Sequence, residues 1–312
     1  MTKRSGGVGS LQEGCADPPL VAVKEAVARA LAEDLLPLGD LSASLVPESS
    51  TGRAALVVRS EGVVAGRLCA VETFAQVAPD LIVDWQLPDG SKVFPGNAVA
   101  EVSGPMRALL AAERTALNFL CHLSGVATIA RRYVEAVSVA NPATRVLDTR
   151  KTTPGLRALE KAAVRAGGAQ NHRGTLSEAV LVKDNHLGGI RMGEAVALAH
   201  ARWPGRLVEI ECDRAEQVPE ALSAGVSAVL LDNMTPDEVA RCVALVHERA
   251  GPGTVLVEVS GGVSLETAPA YARAGADLIS IGALTHSAPV LDIGLDFISV
   301  HRGGTRPLLG GI

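Results

Sequence analysis

The sequence predicts an α/β protein: an incomplete parallel βα barrel of about six strands, preceded by a compact α+β unit. Six apolar runs recur in the second half, at 144–148, 179–183, 207–211, 228–231, 255–259 and 278–281. Each is nearly continuous, as expected of parallel strands buried on both faces. Their spacing, roughly 20–35 residues, leaves room for one crossover helix per strand. The composition agrees, because 32 Gly and only 3% aromatic residues suit a core of Val, Leu, Ile and Ala with many tight turns. Six units argue for a barrel-like ring a strand or two short of eight; an open doubly wound sheet is the alternative.

Taken in order, residues 1–18 are rich in Gly and polar groups and read as a flexible lead. The Gly-rich run 6–10 follows no strand and opens no helix, so it is not read as a phosphate loop. A helix is expected over 19–35, where Val21, Val23, Val27, Leu31 and Leu35 recur at near-helical spacing. Short strands follow at 54–59, 62–65, 81–85 and 98–103, separated by turn-formers such as Pro88-Asp89-Gly90 and Pro95-Gly96-Asn97. Helices are expected over 108–123 and 126–140, then the six βα units. Residues 302–312 read as a loose tail.

Charge and cysteine content narrow the function. A net charge of -5 provides no general cationic field for nucleic acid or an anionic membrane. An anion site must therefore be a local cluster of positive groups. The five cysteines are scattered, with no C-x-x-C pair, which reads as reduced buried thiols in a cytoplasmic protein. The N-terminus has basic residues but no apolar stretch behind them, so no secretory signal is expected, and no run is apolar enough for a membrane span.

Chemistry is expected where the runs end, because βα barrels carry their reactive groups on loops at the carboxyl ends of the strands. The six ends read Asp148-Thr149-Arg150-Lys151, Lys183-Asp184, Glu209-Ile210-Glu211, Asp232-Asn233, Glu258-Val259-Ser260-Gly261-Gly262 and Gly282-Ala283. Arg114, Arg150, Lys151, His172, Arg173 and Lys183 form a cationic set that calls for an anionic ligand, arginine being suited to carboxylate or phosphate. Salt bridges to nearby Glu and Asp are the alternative. Glu211 and Asp232 close adjacent strands and suit Mg²⁺ or sugar hydroxyls; pairing of one with Lys183 is the plainer reading. A Schiff-base role for Lys183 would instead make a class I aldolase. Ser260-Gly261-Gly262 and Gly282 to His286 resemble paired phosphate turns, unless the glycines serve turn geometry alone. No spacing suggests zinc.

These residues resemble a known family. The run from Asp148 to Arg157 is similar to the DTRKT-x-PG-x-R signature of quinolinate phosphoribosyltransferases. Also similar are Asn171-His172-Arg173, Lys183-Asp184-Asn185-His186, Leu230-Leu231-Asp232-Asn233, Ser260-Gly261-Gly262, Glu113 to Asn118 with His122 to Gly125, Glu33-Asp34, Gly39-Asp40 and Gly282 to Thr285. The likeness spans roughly residues 20–297, in order. It departs at Ala162, at Ala169 and over 174–178, changes expected to lie beside the acid-binding residues.

The resemblance implies phosphoribosyl transfer from phosphoribosyl pyrophosphate to quinolinate with decarboxylation, using Mg²⁺. It implies an N-terminal α/β sandwich domain (19–125, rejoined by about 290–300) and a catalytic barrel (126–289). It also implies a homodimer in which Arg114 is donated across the interface. By carry-over, Arg114, Arg150, His172, Arg173 and Lys183 hold the quinolinate carboxylates, with Thr149 beside them. Lys151, Glu211 and Asp232 meet ribose, pyrophosphate and Mg²⁺. Ser260, Gly261, Gly262 and Gly282, with His286, take the 5′-phosphate. The rival readings are a related transferase acting on another aromatic acid, the aldolase, and a non-catalytic scaffold.

Overall fold

The computed structural model describes residues 17–302. The expected lead, its Gly-rich run and Cys15 lie outside the described residues save for the lead's last two positions, as does the tail after Arg302. The first half contains α1 (Leu20–Leu35), β1 (Thr51–Val58), β2 (Gly62–Val63), α2 (Arg67–Val77), β3 (Ile82–Trp85), β4 (Lys92–Val93) and β5 (Ala98–Pro105). A single long helix, α3 (Met106–Ala140), leads into the second half. There follow β6 (Arg145–Leu147), α4 (Arg157–Ala166), β7 (Val180–Val182), α5 (Asp184–Leu187), α6 (Met192–Arg202), β8 (Val208–Cys212), α7 (Val218–Ser223) and β9 (Ala228–Asp232). The chain ends with α8 (Pro236–Ala250), β10 (Leu256–Ser260), α9 (Ala268–Arg273), β11 (Leu278–Ser280), α10 (Ala283–His286) and β12 (Ile293–His301).

The six parallel strands run in the order β6-β11-β10-β9-β8-β7. The first and second strands of the ring do not pair with each other. Gln170 makes a parallel bridge to Leu147 on the β6 side of that seam. The ring is thus an incomplete barrel, and the doubly wound alternative fails because strand order never reverses direction around it. Local chemistry sets the helix starts: α8 follows a capping box in which Thr235 and Glu238 bond each other's backbone amides.

The N-terminal sheet is antiparallel, in the order β12-β1-β5-β3. The last strand therefore returns to the first domain. Phe74 of α2 and Leu109, Ala112, Ala116 and Leu120 of α3 cover one face of this sheet. Further along, α3 turns Phe119, Leu123, Val126, Ala130, Tyr133 and Val137 into the barrel's core. One helix thus serves two cores. The sequence suggested a break at Ser124-Gly125, but the helix runs through. Ser124 Oγ accepts from Ala65 N (3.0 Å), and a Cβ on Gly125 would lie 2.0 Å from the Pro289 carbonyl. Those two small residues mark a close crossing, not a helix end. α2 and β4 were absent from the sequence reading.

Candidate active site

Parallel strands point alternate side chains into the ring. The inward residues at the carboxyl ends are Leu181 and Lys183, Glu209 and Glu211, Leu230 and Asp232, Glu258 and Ser260, and Ser280. With Thr149, Arg150, Lys151, His172 and Arg173 from the loops, Asn233, Gly261 and Gly262, these residues except Glu209 line a cavity of about 520 Å³. Eleven predicted site residues meet there: Thr149, Arg150, Lys151, His172, Arg173, Lys183, Glu211, Asp232, Ser260, Gly261 and Gly262.

Gly282 borders the cavity indirectly. A Cβ there would lie 3.1 Å from Lys151 Cδ and 3.0 Å from His286 Nε2, so the glycine makes room for both. His286 is exposed and its Nδ1 bonds Ser287 Oγ (2.7 Å). Gly261 has φ +88°, and a Cβ there would meet Asn233 Oδ1 at 2.3 Å, so side chain and backbone both require glycine.

Arg114 is exposed on α3 and does not line the cavity, because the helix places it on the N-terminal domain's surface. A correction concerns Ala162, expected beside the acid-binding residues. It faces Cys69, Asp89 and Leu123 at the domain junction, since α4 turns that position away from the mouth. Ala169 is likewise buried in the core. Residues 174–178 do adjoin the site: Glu178 Oε2 accepts from Gly174 N at 2.7 Å, directly after Arg173.

The cationic residues differ in how far they are paired. Arg150 Nε is buried without a hydrogen-bond partner. Arg173 lines the same cavity as Arg150, and its pKa is lowered, by burial first and then by the charge of Arg150. Arg173 Nη1 donates to the Ala179 carbonyl (2.9 Å). Lys183, by contrast, pairs with Glu211, the plainer alternative read from sequence. An amine that attacks a carbonyl sits desolvated in an apolar pocket; Lys183 is partly exposed against a carboxylate, which disfavours the aldolase reading. Asp232 Oδ2 accepts from the Asn233 amide (2.7 Å).

At one side of the cavity lies a polar layer whose acids, Glu209 and Glu258, the sequence reading named as strand ends without giving them a role. His172 Nε2 stands 3.2 Å from Glu209 Oε2 and 3.6 Å from Glu258 Oε2, and Ser280 Oγ donates to Glu258 Oε1 (2.5 Å). Burial, then the charge of Glu209, pushes the Glu258 carboxyl up to about 8. Burial alone would lower the His172 pKa, but the bond to Glu209 and the charge of Glu258 outweigh it and raise it. The available signal was Glu-x-Glu and Glu-x-Ser at the ends of runs otherwise apolar. Asp148, fully buried, anchors the loops: it accepts from Lys161 Nζ (2.5 Å), His172 N (2.9 Å) and Asn171 Nδ2 (2.6 Å).

Fold and mouth together define the class, a βα-barrel enzyme with its reactive groups over the strand ends. Two family models match: "Quinolinate phosphoribosyl transferase, N-terminal domain" over residues 40–124 and its C-terminal domain over 126–296. The chain is 39% identical over 279 residues to the carboxylating nicotinate-nucleotide pyrophosphorylase of Mycobacterium leprae, covering 88% of this chain and 97% of that protein. It is 41% identical over 256 residues to the human protein of the same name, covering 81% and 84%. The solved Francisella tularensis nicotinate-nucleotide pyrophosphorylase superposes with a TM-score of 0.84 at 33% identity, over 91% of this chain and 99% of that one. The chain belongs to the quinolinate phosphoribosyltransferase family.

Proposed function

We propose that this chain transfers the phosphoribosyl group of phosphoribosyl pyrophosphate to quinolinate, giving nicotinate mononucleotide, CO₂ and pyrophosphate in NAD biosynthesis. One observation carries the reading. Arg150 and Arg173 line the same cavity, and Arg150 Nε is buried without a partner. A ligand with two adjacent carboxylates offsets their repulsion through charge-assisted bonds. His172 and Thr149 adjoin them. Lys151, Glu211 and Asp232 meet ribose and pyrophosphate. Ser260, Gly261, Gly262 and Gly282 take the 5′-phosphate, with His286 at the rim.

The pyridine nitrogen is unprotonated near neutral pH and needs no general base, so the protein's work is positioning and electrostatics. As pyrophosphate departs, the ribose C1 gains oxocarbenium character, which the carboxylates of Glu211 and Asp232 stabilise. The nitrogen bonds to C1 and becomes quaternary. Its positive charge then stabilises the carbanion left when the 2-carboxylate leaves as CO₂, and that carbon takes up a proton from water, so decarboxylation follows ribosylation. Free nicotinate is not an intermediate in this order.

The donor set of the mouth fits Mg²⁺: Glu211 and Asp232 are hard oxygen ligands, each with a second oxygen beyond its bond to Lys183 or Asn233. Bound there, the ion would neutralise charge on the pyrophosphate. His172, Glu209 and Glu258 also converge, with ligand atoms within 4.8 Å, but they are engaged with one another.

The functional unit is proposed to be a homodimer in which Arg114 of each subunit completes the partner's site. The protein acts in the cytoplasm. No described helix is long and apolar enough to cross a membrane. Incubation with quinolinate, phosphoribosyl pyrophosphate and Mg²⁺ should yield nicotinate mononucleotide and one CO₂ per turnover. Turnover of nicotinate in place of quinolinate, without CO₂ release, would overturn the assignment.

A further inference from the structure

Helix α4 presents a charged face to the two loops that carry Arg150 and Arg173. Arg157, in its first turn, donates from Nε to Thr152 Oγ1 (3.0 Å) and from Nη2 to the Arg150 carbonyl (3.4 Å). Its Nη1 donates to the Gly174 carbonyl (3.2 Å). One guanidinium therefore reaches across from the loop after β6 to the loop after Gln170. All three acceptors are neutral, so these bonds do not serve to neutralise a carboxylate. One carbonyl belongs to Arg150 itself, and the other to the residue following Arg173.

The geometry of the ligand gives these bonds a use. Two carboxylates on neighbouring ring carbons have a fixed separation, whereas two guanidinium groups in one wall repel and move apart unless their backbones are tied. Asp148 ties the inner parts of the two loops, through the His172 amide and Lys161. Arg157 ties them further out, where the arginines stand. Its planar fork holds several acceptors in a rigid arrangement that the point charge of a lysine does not reproduce.

We propose that Arg157 is a positioning residue that sets the distance between Arg150 and Arg173, and with it the preference for a vicinal diacid over a mono-acid. The inference rests on the reading of the mouth as a quinolinate site. It makes Arg157 a determinant of specificity that touches no substrate.

Steady-state kinetics on the full chain test it, with saturating phosphoribosyl pyrophosphate and Mg²⁺, quinolinate varied, and nicotinate as competitive inhibitor. In R157A the KM for quinolinate should rise about tenfold or more while the Ki of nicotinate stays within about twofold, since only a two-point ligand senses the spacing. R157K should behave like R157A, and T152V, which removes one bond, should fall between. A merely structural role would move both constants together, and that result, or an unchanged quinolinate KM in R157K, overturns the proposal. Should R157A fail to fold in a thermal melt, R157K and T152V decide. A wild type that does not turn over quinolinate defeats the reading of the site and this inference with it. A wild type that does, with unaltered variants, defeats the inference alone.

Discussion

Glu258 occupies an interior position of a parallel strand, where the neighbouring residues are Val257 and Val259 and an ionised carboxylate is costly. Its pKa is raised to about 8, first by burial and then by Glu209, whereas in the unfolded chain it titrates near the ordinary value. Between those two values the unfolded chain releases a proton that the folded one keeps, so stability falls as pH rises through that window. E258Q, isosteric and permanently neutral, lacks this dependence. It should match the wild type at pH 4 and gain on it by on the order of 2–4 kcal/mol at pH 8, measured by urea unfolding at each pH. For Arg150 the expected effect is on activity: R150A should lose about 2–5 kcal/mol of transition-state binding, at least about thirtyfold in kcat/KM for quinolinate. A change of only a few-fold would remove Arg150 from the acid site. The sequence made Arg150 legible because it follows an apolar run beside Lys151. Glu258 was harder to see, because inside such a run a lone acid reads as the strand's last polar residue, and only the ring's geometry shows it facing His172.

Among the elements, α3 departs most from its sequence reading. Ser124-Gly125 reads as an interruption, since glycine within a helix costs about 1 kcal/mol relative to alanine. Its actual reason is the chain crossing at Pro289 and Val290, which leaves no room for a side chain. G125A should therefore reverse the usual helix rule and destabilise the fold by roughly 1–3 kcal/mol, as overpacking does. Chemical denaturation would show it, and an equal or higher midpoint would mean that the crossing can yield. The six barrel strands were legible because double-sided burial writes a continuous apolar run. The helix α2 and the two-residue strand β4 were not, because short elements packed by tertiary contact carry little periodicity of their own. The return of β12 beside β1 was legible only through resemblance, since no local pattern states which sheet a final strand joins.

For the whole molecule, the proposed exchange of Arg114 makes a quantitative prediction. R114A and R150A should each be nearly inactive alone. Refolded together in equal amounts, they should recover about a quarter of wild-type activity, because half the dimers are mixed and each mixed dimer has one intact site. If the mixture remains as inactive as its components, Arg114 serves its own subunit or none. Nothing in the sequence of one chain reveals this arrangement apart from family likeness, because an exposed arginine on a helix is ordinary. Arg114 lies on the stretch of α3 that packs against the N-terminal sheet, and the same helix continues into the barrel core.

The unpaired seam of the ring has an evolutionary consequence. Between Gln170 and β7 no strand ladder passes, and residues 174–178 fill the interval with a local turn closed by Glu178. Replacements or insertions there leave every inter-strand ladder untouched while altering the ground just behind Arg173. The part of the wall behind Arg173 is thus the part that can change without breaking a ladder. Selectivity for the acid can diversify at that gap while the scaffold stays constant.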